Sequence, residues 1–232
     1  MLVAAAVCPH PPLLVPGAGA GAAGELDDLR AACERAVGDL VGVDADLLVV
    51  VGDAPAVGPY PDGAWGSLRP YGVPADVPAG PGQPTLPLSL TLGRWLVDRA
   101  GGPASLLLFG VSADSSGARC RQLGRTLAER APRVSLLAMG DGSARRSVKG
   151  PGYLDERAEP FAAAVATALR EGDVDAIAGL DADLARELLA AGRAPWQVMA
   201  GAAGDGEPWR GEVTYDAAPY GVTYLVASWC PA

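Results

Sequence analysis

The chain has 232 residues, half of them hydrophobic and 19% charged, with a formal net charge of −9. That supplies one sizeable core, and its scattered arginines with a single lysine, Lys149, argue against a nucleic-acid surface. No apolar run approaches the ~20 residues that cross a bilayer. Four cysteines without a C-x-x-C pair, and no export-type opening, give the expectation of a cytoplasmic protein with reduced thiols.

In chain order, residues 2–7 read as a buried strand. Residues 25–41 follow with apolar positions at Leu26, Leu29, Ala32, Cys33, Val37 and Leu40, which is helical spacing with acids in the first turn. A second buried strand is expected at 47–51. Residues 54–87 are dense in proline and glycine, with Tyr60, Trp65 and Tyr71 interspersed. Such a segment inside a compact domain is usually functional or disordered, and its aromatics favour a packed loop. It follows a strand, where active-site loops of α/β folds sit.

Helices are predicted at 88–99, 118–130, 155–170 and 182–191, with strands at 105–109, 134–138 and 222–228. Residues 114–116 read as the cap before a helix. This alternation predicts one domain over residues 1–232, an α/β sandwich with a central, largely parallel or mixed sheet flanked by helices.

Three patterns bear on chemistry. Residues 19–24 satisfy G-x-G-x-x-G, yet prolines separate them from the preceding strand. A dinucleotide site needs the strand to run directly into the motif, so a flexible loop is the better reading. Serines 112, 115, 116 and 143 sit in no G-x-S-x-G elbow, which argues against covalent serine catalysis. Cys8 and His10, spaced i, i+2, would face the same way in extended backbone. With Asp53 at the end of the next strand they could form a thiolate–imidazole–carboxylate metal site, or Cys8 could be buried filler and His10 unliganded.

Several segments together resemble the class III extradiol dioxygenase superfamily, whose type members are catalytic subunits of protocatechuate 4,5-dioxygenase and which includes Memo-like proteins. Cys8 to Pro16 looks like the family's P-H-P-P-L-L-x-P opening. Gly66-Ser67-Leu68 through Tyr71-Gly72-Val73 resembles a loop of small actinobacterial members. Gly140-Asp141-Gly142-Ser143-Ala144 is similar to G-D-x-S-H, and Gly152-Tyr153-x-Asp155-x-Arg157 follows it. Residues 190–203 look like a family helix start, and Ala218-Pro219-Tyr220-Gly221-Val222 like the entry to the final strand.

The resemblance implies that His10 occupies an iron-ligand position. It equally implies losses. The second histidine of the family's S-P-H segment falls on Gly52-Asp53-Ala54-Pro55, the acid/base histidine is Ala144, and the third ligand region aligns with Ala191. A non-haem iron triad takes two imidazoles and a carboxylate, and this chain has one histidine. The expectation is therefore an extradiol dioxygenase-like protein with a degenerate iron site. It would bind a small ligand without catalysis, or serve as a subunit partner.

The alternative is a metal-dependent enzyme with Fe(II) or Zn(II) in a rearranged site around His10, Asp53 and Cys8. Tyr60, Trp65 and Tyr71 are candidates to cover an aromatic ligand near His10, and Arg145 and Arg146 to bind a carboxylate. A homo-oligomer or a paired dioxygenase-like subunit is the protein partner expected. Nucleic acid and membrane are not.

Overall fold

A computed structural model of the chain describes every residue except 17, 19–23, 104, 205 and 207. The glycine-rich motif at 19–24 therefore lies, Gly24 apart, outside the described residues.

The expected alternation is present. Strand β1 (Leu2–Cys8) leads through a short 3-10 turn to helix α1 (Asp27–Gly42), then to β2 (Leu47–Asp53). All six apolar positions read from the sequence of α1 are buried. The 54–87 segment is a packed connection holding β3 (Gly58–Pro59), β4 (Gly66–Ser67) and β5 (Asp76–Val77), and it delivers the chain to α2 (Leu88–Arg99). Then come β6 (Leu106–Val111), α3 (Gly117–Ala128) and β7 (Val134–Met139). The Ser116 hydroxyl caps α3, accepting from the Arg119 amide at 3.3 Å.

After β7 the helices α4 (Ala158–Glu171), α5 (Val174–Ala178), α6 (Ala182–Glu187) and α7 (Arg193–Ala203) precede a closing hairpin, β8 (Trp209–Ala217) and β9 (Tyr224–Pro231). Helix α4 starts later than residue 155, because the Asp155 carboxylate accepts the Arg157 amide and ties that segment into a turn. Helix α6 stops at Glu187, ahead of Leu189, whose φ of 55° cannot continue a right-handed helix.

The main sheet runs β3-β6-β2-β7-β1-β9-β8; β4 and β5 pair separately. The inner four, β6, β2, β7 and β1, are parallel, and β9, β8 and β3 join antiparallel. The sheet is thus mixed, with helices on both faces. Alternating side chains feed two cores, as the strand period requires. Val49, Val51, Leu136 and Ala138 face α3–α7, while Leu48, Val50, Leu137 and Met139 face α1 and α2. Each fully buried aliphatic contributes roughly 1.5–3 kcal/mol. No helix among the described residues is long and apolar enough to cross a membrane.

Candidate functional site

Parallel strands end on one edge of the sheet, and residues just past those ends converge there. His10 lies two residues after β1, Asp53 is the last residue of β2, residues 112–114 follow β6, and Asp141 lies two residues after β7. Since β7 sits between β1 and β2, Asp141 stands between the exits that carry His10 and Asp53.

Asp141 organises this edge. Its Oδ1 accepts the His10 amide at 2.7 Å, and its carbonyl accepts the Gly192 amide at 2.7 Å, tying the exit of β1 to the start of α7. The approach is close enough that a Cβ on Gly140 would lie 2.2 Å from the Gly192 Cα, so only glycine fits there. The His10 Nδ1 is 3.6 Å from the same Asp141 oxygen, beyond hydrogen-bond range. That nitrogen is buried and has no hydrogen-bond partner among the described residues. Burial and the Asp141 carboxylate together push the Tyr224 hydroxyl well above its ordinary range.

Asp53 faces a cavity of about 390 Å³ whose wall includes His10, Pro55, Pro87, Ser89 and Asp114. Burial pushes its carboxyl up; the positive character of His10 and the amides of Ala113 and Ala54 oppose this, and Asp114 adds to it. The Ser89 hydroxyl donates to the Asp53 carbonyl at 2.7 Å and fixes the start of α2 against the end of β2. A second cavity, of about 300 Å³, shares Asp53 and Ala113 with the first and continues along Ala185, Leu189, Ala191 and Ala194 to Arg193. Asp53 therefore stands where the two spaces meet.

The other sequence candidates are placed elsewhere. Cys8 is fully buried on the α1 face of the sheet, away from the His10 cavity. Its hydrogen bond to Cys33, together with burial, pushes the Cys33 thiol up. The i, i+2 argument fails because β1 ends at Cys8 and the chain leaves the strand before His10. Among the described residues, no three His, Cys, Asp or Glu side chains form a group able to hold a metal ion.

The aromatics of the 54–87 segment also miss the cavity. Tyr60 packs beside Gly110 with its amide on the Leu108 carbonyl at 2.9 Å. The Trp65 indole donates to the Pro81 carbonyl at 3.0 Å, and Tyr71 is half exposed in a 3-10 turn. Only the ends of the segment, at Ala54, Pro55 and Pro87, reach the wall.

Arg145 lies against Gly152, and Arg146 donates to the Thr223 hydroxyl at 3.3 Å; neither lines either cavity. Ala144 donates its amide to the Leu188 carbonyl at 3.2 Å, beside Leu189 on the second cavity's wall. Ser89 and Arg193 were not singled out in the sequence, and Asp141 entered it only within the Gly140–Ala144 resemblance, with no role of its own. An acid between two glycines just past a strand was the signal for Asp141. A lone charged residue in an otherwise uncharged helix was the signal for Arg193.

No family model and no curated protein matches the sequence. Among solved structures, the chain is similar to the uncharacterized protein JW3007 from Escherichia coli K12, at 16% identity and a TM-score of 0.56, over 98% of this chain and 99% of that one. At that identity the likeness speaks to the fold alone.

Proposed function

We propose that this chain is an extradiol dioxygenase-like protein whose iron site has decayed, and that its strand-end cleft binds a small ligand without cleaving a ring. One observation carries this reading. The cleft offers a single imidazole, His10, where a non-haem iron triad takes two imidazoles and a carboxylate.

The resemblance equates His10, Asp53 and Ala191 with ligand positions, and all three line the paired cavities that meet at Asp53. That common location supports the family reading. The donor set does not fit iron: Ala191 supplies a methyl group, and Cys8 is turned into the core. The position equated with the acid/base histidine is Ala144, and loss of such a group removes about 10²- to 10⁴-fold in rate. Two cavities of about 300 and 390 Å³ nevertheless persist, in the range of small-molecule sites.

The test is oxygen consumption by protein reconstituted anaerobically with Fe(II) and then given catechol or protocatechuate in air. The expected trace matches that of Fe(II) in buffer alone. Substrate-dependent uptake that disappears in His10→Ala would overturn the proposal.

A further inference from the structure

The two edges of the main sheet differ in kind. At one end stands β3, two residues long and ending in Pro59, which has no amide to offer a further strand. At the other stands β8, nine residues long, with no strand beyond it among the described residues. The Pro208 carbonyl accepts the Ala232 amide at 2.9 Å. Backbone direction alternates along an antiparallel ladder, so Arg210 and Glu212 turn their backbone groups to Cys230 and Ser228 of β9. Trp209, Gly211 and Val213 therefore turn theirs outward, and among the described residues these groups make no hydrogen bond outside the ladder. Gly172 packs on the Trp209 carbonyl, which a Cβ there would approach to 2.2 Å. The Trp209 amide, both groups of Gly211 and the Val213 carbonyl remain as the row that a second strand would meet.

The side chains of this stretch select a partner. Arg210 and Glu212 are exposed, opposite in charge and two residues apart, so they share one face of the strand. Both line an open groove of about 480 Å³ against Asp39 and Leu40 of α1, and neither has an ion-pair partner among the described residues. A register irregularity between Val213 and Tyr215 limits regular pairing to residues 209–213. Three antiparallel registers would join the outward groups of two such strands. Centred on Arg210 or on Glu212, they set like charges directly opposite one another, which is unfavourable. Centred on Gly211, the register sets Arg210 opposite the partner's Glu212 and Glu212 opposite the partner's Arg210. Those are non-hydrogen-bonded pairs, where facing side chains lie closest.

We propose that β8 is a homodimer seam, pairing antiparallel with β8 of a second copy about a two-fold axis at Gly211 and joining two seven-stranded sheets into one. The two Gly211 residues exchange amide–carbonyl bonds across the axis, and each Trp209 amide reaches the partner's Val213 carbonyl. An Arg–Glu pair stands on either side. So short a seam makes a small, reversible interface. It does not depend on what the strand-end cleft binds.

The test is sedimentation equilibrium of the tag-free chain in reducing buffer, which keeps the exposed Cys230 from cross-linking copies. The parent is expected to move from 23.4 kDa toward twice that mass as concentration rises through the micromolar range. Arg210→Glu sets glutamates opposite one another at both pairs, and Glu212→Arg sets arginines. Each should weaken the dimer at least about ten-fold, two cross-strand pairs having turned from attraction to repulsion. A one-to-one mixture of these two variants should dimerise like the parent, because every 210–212 contact between them is again Arg to Glu. The charge-swapped Arg210→Glu/Glu212→Arg should do so alone. Both positions are exposed, so every variant should keep the parent's far-UV circular dichroism.

A parent that stays at 23.4 kDa throughout would overturn the proposal and leave the edge to a strand of some other chain. A dimer that both charge reversals leave intact would overturn the location at β8. Weakened single variants whose mixture stays monomeric, with a charge-swapped variant that also fails to dimerise, would overturn the Gly211 register and the pairing built on it. If a single variant does not fold, the charge-swapped chain against the parent decides.

Discussion

Asp53 and Asp141 divide the work of the site. Asp53 is kept partly from water, so its carboxyl titrates above the ordinary 3.8 in the folded chain. The sign follows directly. Protonation favours the fold, so this contribution is complete below pH 3.8 and is lost as pH rises through the folded value. Asp53→Asn should therefore raise Tm at neutral pH, with the gain disappearing below pH 3.8; a loss of stability at neutral pH would contradict the assignment. Asp141 has a structural part, as the acceptor that holds the His10 amide. Asp141→Ala strands that amide, and urea unfolding should show a loss of about 1.5–3 kcal/mol, as for a hydrogen bond to a charged group. Asp53 was legible in the sequence because it ends an unbroken apolar strand. Cys8 misled because period-two reasoning holds only while the strand continues, and here it stops at Cys8.

Helix α7 explains why some elements read clearly and others did not. Every residue of α7 is buried, so it carries no polar stripe and no 3.6-residue contrast. Helix α1, half exposed, carries both and was readable residue by residue. The packing of α7 on α3 is backbone-close. A Cβ on Gly124 would lie 2.1 Å from the Val198 carbonyl oxygen, with no flexible side chain available to yield. Gly124→Ala should separate the two helices and cost about 1–3 kcal/mol by urea unfolding, the range for overpacking. An unchanged midpoint would mean that the crossing tolerates a wider gap. Strand β8 went unread although Trp209, Gly211, Val213 and Tyr215 alternate with polar neighbours. One face is exposed and the other, Trp209 apart, only half-buried, and Gly211 interrupts its apolar row, so the strand lacks the continuous apolar run of the inner strands.

At the scale of the molecule, the sheet order does what no local pattern announces. Placing β7 between β1 and β2 brings Asp141 to His10 across 131 residues of sequence, and the return of the chain through α7 brings Arg193 to the same edge. The α/β class was legible because each inner strand is a continuous apolar run. The partners across strand ends were not, since they depend on which strands become neighbours. At this edge the fold gathers one imidazole, several carboxylates and two adjoining cavities, and the proposal that they hold a small molecule and not iron turns on whether the chain retains a metal. Metal stoichiometry addresses that claim most directly. Tag-free protein is loaded anaerobically with Fe(II) or Zn(II), desalted and analysed by inductively coupled plasma mass spectrometry beside His10→Ala. The account predicts far less than one metal per chain and no difference between the two proteins. One equivalent retained by the parent and lost in His10→Ala would contradict it.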